Sequence, residues 1–306
     1  MISGGMVRGG IKYAVRLGVI AGGLFGGVAM ANPHDWQLNM PRGVTEWSPE
    51  PYFLNNVTLG ICTVIGVLVF GAMGIAIFRF RKSRGAVAEK WVHNTKLELV
   101  WTTIPFIILA VLGYLATGGL VSFADTSHSE LTVKVTGYQW LWRYDYVDYQ
   151  GQPIKDVGFM SKLDHLSDFT RQLHSGLDPK AVQENGENTY LLNVDHPLVV
   201  PVNTKIRFVI TAGDVIHSWW VPDLGWKVDA IPGIANAAWA TIKVPGTYRG
   251  QCAELCGQDH GFMPIVVKAV SREEFEKWLS SQRQLPYQPA PQTAQVTSMT
   301  AQANPG

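Results

Sequence analysis

The chain has 306 residues, 47% hydrophobic and 16% charged, with 25 Lys and Arg against 24 Asp and Glu for a formal net charge of +1. That length allows more than one domain, and the near-neutral balance excludes the basic surplus of a nucleic-acid partner. The charge is nonetheless split along the chain. Residues 1–121 carry ten Lys and Arg and five Asp and Glu, whereas residues 122–282 carry fourteen and nineteen, a net of −5. A membrane anchor followed by an acidic domain has this asymmetry.

The N-terminus places Arg8, Lys12 and Arg16 before a short apolar run from Leu17 that ends in Ala29-Met30-Ala31. Residues 1–31 read as a signal peptide cut before Asn32. The alternative is a third membrane helix, but the run is short and five glycines dilute it. Residues 32–50 follow as an exported N-terminal segment.

Residues 51–124 read as a transmembrane hairpin, with helices over about 54–80 and 98–122. No charge interrupts Pro51 to Phe78, and none interrupts Leu99 to Ala124. Each stretch is long enough to cross a hydrocarbon layer of roughly 30 Å. Pro105 sits near the start of the second, where a kink or a first-turn position is tolerable. The loop at 81–97 and its flanks hold Arg79, Arg81, Lys82, Arg84, Lys90 and Lys96, opposed only by Glu89. The positive-inside rule places that loop in the cytoplasm and both ends of the mature chain outside it.

From Leu131 the texture changes to strands. Leu131 to Val135 alternates, as does Trp140 to Tyr146 with aromatics on one face. Tyr190–Val194, Lys205–Thr211, Ala237–Val244, Thr247–Gln251 and Pro264–Val270 are further candidates, punctuated by Pro and Gly. Many short strands with such turns argue a sandwich or barrel. Residues 155–189 are polar and read as a surface insertion; His165 and His174 within it lack the tight spacing of a second metal site. Ser271-Arg-Glu-Glu274 is a capping box that opens a short helix through Trp278 to about Ser281. After Leu285 the tail is Pro, Gln, Ala and Thr, a disordered composition over 285–306.

The richest stretch is Cys252-Ala-Glu-Leu-Cys256-Gly-Gln-Asp-His260-Gly-Phe-Met263, with spacings C-x3-C, C-x3-H and H-x2-M. His217 lies 35 residues upstream of Cys252 beside Trp219-Trp220. Thiolate and thioether sulfurs are soft and imidazole is borderline, a set that selects copper. Zinc would accept two Cys and two His but has no use for the Met. A mononuclear blue-copper site needs a single Cys, so a second thiolate in the same loop suggests two bridging sulfurs and two copper ions. Each ion would then take one His, with Met263 weakly on one and a loop carbonyl on the other. The competing reading is a Cys252–Cys256 disulfide, common in exported proteins, which leaves the His and Met spacing unexplained.

These blocks, together with Lys227-Val-Asp-Ala-Ile-Pro-Gly233, Gly137-Tyr-Gln-Trp140-Leu-Trp142-Arg-Tyr144-Asp-Tyr146 and Glu98-Leu-Val-Trp101-Thr102, resemble subunit II of cytochrome c oxidase, in family order from about residue 50 to about 280. The resemblance implies a two-helix transmembrane hairpin plus an all-β cupredoxin-like Greek-key barrel, the copper domain covering 125–284 in the periplasm and the hairpin in a bacterial inner membrane. It implies a dinuclear copper centre with Cys252 and Cys256 bridging, His217 and His260 terminal and Met263 weak. Glu254 would give its backbone carbonyl to copper and its carboxylate to a Mg²⁺ at the interface with subunit I, since oxygen donors suit that hard ion.

The resemblance further implies that cytochrome c delivers electrons at Trp140, and that haem in subunit I receives them for oxygen reduction coupled to proton translocation, with subunit III as a further partner. The residues alone leave Trp140 or Trp142 as a core aromatic, since alternation puts both on one face. Glu98 is either a solvated helix start favoured by the N-terminal dipole or, by resemblance, the mouth of a proton-uptake channel. Many family members have Arg after the Pro-Gly; this chain has Ile234, so no role is carried to that position. A quinol oxidase subunit would lack the copper ligands. A membrane-tethered cupredoxin electron carrier or copper-binding module is the alternative function. No C-x-x-C-H follows the barrel, so the chain carries no fused c-type haem.

Overall fold

The computed structural model describes residues 39–286 except 89, 91 and 185. The expected signal peptide at 1–31, the beginning of the segment 32–50 and all but the start of the tail lie outside the described residues.

Two long helices come first, α1 (Pro49–Arg79) and α2 (Thr95–Ala124), of 31 and 30 residues. At about 1.5 Å per residue each exceeds the roughly 30 Å hydrocarbon thickness. Their apolar surfaces are almost wholly exposed, and their apolar stretches have mean hydropathies of 2.6 and 2.2. Helix α1 starts earlier than the apolar run predicts because Pro49 and Pro51 fall in its first turn, where a missing N–H loses no hydrogen bond. Helix α2 also starts early. The Asn94 side chain accepts from Leu97 N at 3.1 Å, a cap that satisfies an otherwise orphaned donor. Pro105 lies inside α2 rather than in its first turn.

The remainder is a strand domain with two further helices. In chain order it comprises β1 (Leu131–Tyr138), β2 (Leu141–Tyr149), β3 (Gln152–Pro153), β4 (Gly158–Ser161), α3 (His165–Thr170), β5 (Gln183–Glu184) and β6 (Glu187–Asn188). It continues with β7 (Leu198–Pro201), β8 (Lys205–Ala212), β9 (His217–Val221), β10 (Trp226–Ala230), β11 (Asn236–Thr241), β12 (Gly246–Cys252), β13 (Pro264–Val270) and α4 (Arg272–Gln282). One sheet runs β11-β8-β1-β2-β3 with β4 also on β2; the other runs β10-β9-β12-β13-β7. The pairs β1–β8 and β7–β13 are parallel inside otherwise antiparallel sheets, which requires the chain to cross between layers. The architecture is the expected membrane hairpin joined to a cupredoxin-like barrel.

The core lies between the sheets. Trp142, Tyr144, Phe208, Trp219 and Tyr248 are fully buried in it, each large ring adding about 1.5–3 kcal/mol of burial. Tyr146 fastens the two layers. Its hydroxyl donates to Val199 O at 2.6 Å and accepts from Val199 N at 3.1 Å. The predicted capping box is present: Glu274 N donates to Ser271 Oγ at 3.2 Å, and Ser271 N donates to Glu274 Oε2 at 3.1 Å. Helix α4 then buries Phe275 and Leu279 against the barrel.

The structure corrects the reading of residues 155–189 as a surface insertion. Val157, Phe159 and Ser161 are buried, and β4 pairs with β2, so the first part belongs to the core. Tyr190–Val194 is not a strand. Leu191 has φ 63°, a left-handed conformation that extended chain does not adopt, and only Val194 makes a bridge, to Leu163.

The hairpin and the barrel are joined by more than covalent connection. Before α1 the chain pairs with the barrel through Val44 N to Asp223 O at 2.8 Å, Glu46 N to Thr241 O at 3.1 Å and Lys243 N to Val44 O at 2.9 Å. The rings of Trp47 and Phe123 lie 5.2 Å apart, Phe123 and Trp226 6.2 Å, and Trp226 and Trp219 5.2 Å. Gly119 of α2 leaves room for this, because a Cβ there would lie 3.2 Å from Trp47 Cη2.

Candidate metal centre

Strand pairing brings the predicted ligands together. The β9–β12 register sets Cys252 opposite Trp219, and Ala253 N donates to Ser218 O at 3.0 Å, so His217 and Cys252 become neighbours. The loop after β12 then turns back, and Cys252 N donates to Met263 O at 3.0 Å. The donor atoms form a chain: His217 Nδ1 to Cys252 Sγ 3.9 Å, Cys252 Sγ to Cys256 Sγ 3.9 Å, Cys256 Sγ to His260 Nδ1 3.5 Å. His217, Cys252 and Cys256 are buried and offer donor atoms within 4.8 Å of one another. Met263 is buried beside them at 1% exposure.

The sulfur separation discriminates the two readings of the cysteines. A disulfide needs about 2.05 Å, and both thiols are free at 3.9 Å. Metal–sulfur bonds of about 2.3 Å let one ion touch both. The fourth element of the predicted set also points inward: Cys252 Sγ lies 3.4 Å from Glu254 O, while the Glu254 side chain is exposed. Two sulfurs flanked by two imidazoles, with a carbonyl and a thioether at hand, fit copper better than any hard cation.

His217 is the most tightly held donor. It is fully buried, and its Nε2 sits 2.9 Å from Asp214 Oδ1. That contact fixes the ring so that Nδ1 faces the sulfurs, the usual role of a carboxylate behind a metal-binding imidazole. Asp214 is itself pinned, accepting from Val215 N at 2.6 Å and Gln139 N at 2.7 Å. Gln139 Nε2 in turn donates to Cys256 O at 2.8 Å. Gly137 on β1 makes the ring's position possible, since a Cβ there would lie 2.8 Å from His217 Cδ2.

The electrostatics suit thiolates. Burial opposes ionisation of Cys252, but the contacts from His217 and the backbone near Glu254 and Ser218 prevail and bring its pKa down to about 7. Burial, and then the charge on Cys252, push Cys256 up. Cys256 is therefore the harder of the two thiols to ionise, and a bound cation would favour its thiolate. His217 is raised: burial lowers it, and Cys252 and Asp214 more than compensate.

The remaining predicted residues divide: Trp140 lies against the ligand loop and Glu98 lies far from it. Trp140 lies in the turn between β1 and β2, half-buried, while Trp142 is fully buried in β2. A Cβ on Gly257 would lie 3.3 Å from Trp140 Cζ2, so the indole rests on the ligand loop. Glu98 is in the first turn of α2, far along the hairpin, where its Oε1 pairs with His93 Nδ1 at 2.8 Å. Asp214, Gln139 and Gly137 were not singled out from the sequence as parts of the site. For Asp214 the signal available was its place three residues before His217; for the other two there was none.

The profile described as Cytochrome C oxidase subunit II, periplasmic domain, matches residues 131–270, and that of its transmembrane domain matches residues 33–116. A probable cytochrome c oxidase subunit 2 of Rickettsia prowazekii is 39% identical over 256 residues, 82% of this chain and 74% of the relative. The cytochrome c oxidase subunit 2 of Arabidopsis thaliana is 34% identical, over 81% of this chain and 90% of its own. Among solved structures, the periplasmic domain of subunit II of the cytochrome oxidase of Bradyrhizobium japonicum is 36% identical, covering 52% of this chain and 97% of that one, with a TM-score of 0.42. With both halves of the chain matched in order and the donor residues gathered at one end of the barrel, this membrane-anchored protein belongs to the cytochrome c oxidase subunit II family.

Proposed function

We propose that this chain is the electron-accepting subunit of an aerobic terminal oxidase, taking electrons from cytochrome c and passing them to haem in subunit I, where oxygen is reduced to water and protons are moved. The observation that carries this reading is the unbroken file His217–Cys252–Cys256–His260, in which both thiols sit between the two imidazoles at 3.5–3.9 Å spacings. Two copper ions bound there would supply a one-electron centre of little geometric change. Cys252 and Cys256 would bridge as thiolates, His217 and His260 would each hold one ion, and Met263 and the Glu254 carbonyl would complete the set. The protein's part is rigidity. Asp214 holds the His217 ring, Gln139 holds Cys256 through its carbonyl, and the buried surroundings exclude water, so that little reorganises when charge arrives.

Trp140 is the proposed point of electron uptake, supported by its half exposure and its seat on Gly257 in the ligand loop. The exposed Glu254 carboxylate is proposed to meet Mg²⁺ at the interface with subunit I. Glu98 is proposed as the mouth of a proton path into subunit I, supported by its half-buried place at the start of α2. The proposed setting is a bacterial inner membrane with the barrel in the periplasm, residues 1–31 removed and subunit III alongside. The basic loop between α1 and α2 then faces the cytoplasm.

The test is copper stoichiometry and spectroscopy on the full-length chain in detergent. Two coppers per chain with one unpaired electron shared by both nuclei are expected. One copper, or a Cys252–Cys256 disulfide that survives loading, would refute the dinuclear centre. Copurification with a haem-bearing polytopic subunit that oxidises reduced cytochrome c is expected; a chain that stands alone would favour a tethered cupredoxin carrier.

A further inference from the structure

We propose that Arg171, on the segment between β4 and β7, is a positioning residue that clamps the turn carrying His260 and Met263. The inference rests on the reading of those two residues as ligands. Arg171 ends α3 and reaches the ligand loop 88 residues further on. Its guanidinium carbon stands 4.3 Å from the centroid of the Phe262 ring, within cation–π range. Its Nη1 lies 3.5 Å from Asp259 Oδ1, and its Nε donates to Asp168 Oδ1 at 2.8 Å. Asp259 immediately precedes His260, and Phe262 immediately precedes Met263. One planar cation therefore grips the turn on both sides of His260, by charge on one side and by a ring face on the other.

The ends of the turn are held from β12 and by Trp140 on Gly257, with Cys252 N donating to Met263 O at 3.0 Å, but its middle has few backbone ties. Phe262 N donates to Asp259 O at 2.9 Å and His260 N to Gly257 O at 3.3 Å, both within the loop itself. The base from which Arg171 reaches is firm. Arg249 of β12, nearly buried, donates to Leu192 O at 3.2 Å and Asn193 Oδ1 at 2.9 Å and pairs with Glu184 Oε2 at 2.5 Å. The segment from α3 to Asn193 is thus fastened to the strand that bears Cys252, and Arg171 spans from it to the far half of the ligand set. His217 has Asp214 behind it; the opposite imidazole, His260, has this clamp around its turn instead. The geometry gives the polar segment a purpose that its sequence alone does not: it is a brace for the loop.

Lysine does not replace arginine here, because an ammonium keeps the charge near Asp259 but lacks the flat face for Phe262. Outer contacts to metal ligands typically change affinity by about 10–100-fold, and the lower end suits a partly exposed clamp. The experiment uses the full-length chain. In metal-free protein, Arg171→Ala should speed amide exchange over residues 257–263 while leaving β12 and β13 as in the wild type. In loaded protein, copper loss to a chelator should be about tenfold faster, with a shifted absorption spectrum and midpoint potential. Arg171→Lys should fall between the two. Phe262→Leu combined with Arg171→Ala should cost less than the sum of the single changes. Unchanged exchange, or unchanged copper loss and spectrum, in Arg171→Ala would overturn the proposal. A His260→Ala chain that keeps the wild-type copper content would instead refute the ligand assignment, and the proposal with it.

Discussion

Gly137→Ala is the sharpest test of how the barrel holds His217. The added methyl would sit 2.8 Å from Cδ2, 2.9 Å from Cγ and 3.1 Å from Cβ of His217, inside ordinary carbon contact of about 3.5–4.0 Å. The imidazole would have to retreat by roughly 0.7 Å or more to restore that contact. It has no slack. Asp214 holds Nε2 at 2.9 Å, and the Trp142 ring stands edge-on at 5.9 Å between centroids. Strand β1 cannot yield either, since it is paired on both sides, with β2 and β8. Overpacking of this kind costs about 1–3 kcal/mol, against roughly 5–15 kcal/mol of total stability, so the variant folds. Metal–ligand bonds tolerate only about 0.2 Å, so copper affinity should fall by about tenfold or more. Copper titration and thermal unfolding of the metal-free full-length chain would be measured side by side. Gly261→Ala is the control, because a Cβ there meets nothing within 4 Å and φ is not in the left-handed region. A Gly137→Ala chain that binds two coppers with wild-type affinity and spectrum would refute both the tight seat and the role of His217.

Four further outcomes are expected. Residues 122–282 carry a net −5, and salt screens attraction over about 8–10 Å, so electron uptake from a basic cytochrome c should slow as ionic strength rises. Trp140→Ala should slow uptake with little change in donor affinity, and stopped-flow traces at the wild-type rate would move the uptake point elsewhere. Glu98→Gln should slow oxygen turnover of the assembled enzyme at unchanged copper content; equal loss of assembly and activity would show that its pairing with His93 is only structural. Ser271→Ala should lower the melting temperature by about 2–4 °C through loss of the cap. The Ser271 side chain, then its backbone N–H, lowers the pKa of Glu274 below 4.5. That part of the stability is present above pH 4.5 and is lost as pH falls through the folded value, so the gap between the two melting curves should narrow in acid, while the bond from Glu274 N to Ser271 Oγ persists.

The sequence exposed what depends on local pattern. The membrane spans are legible because uncharged runs of that length have few other uses, and β1, β2, β8, β11, β12 and β13 because they alternate or are bounded by turns. Strand β7 is buried at every position, so it shows no alternation to read, and β4 hides in a polar stretch although Phe159 is core. Alternation could not separate Trp140 from Trp142 because Trp140 is not in a strand. The five candidate donor side chains could be singled out from spacing, since four of them fall within twelve residues. What surrounds them was not. Gln139 meets Asp214 across 75 residues and Cys256 across 117, and Arg171 meets Phe262 only because β12 anchors a distant segment. Such contacts are products of the fold, and no local pattern encodes them.

The run of rings from Trp47 through Phe123 and Trp226 to Trp219 has a consequence for how the molecule works as a machine part. Trp219 is the register partner of Cys252, while Trp47 and Phe123 stand at the hairpin's outer end. The barrel is therefore welded to its anchor rather than tethered, with the weld line running straight to the strand that ends in Cys252. Swivelling it would mean separating the Phe123 and Trp226 rings and breaking the Val44–Asp223 and Glu46–Thr241 backbone bonds together. Small errors of tilt at the weld would be magnified across the barrel's height, like play at the base of a mast. The seat of that mast is Gly119, where a single added methyl group would stand 3.2 Å from Trp47 Cη2 and begin to pry the barrel from its step.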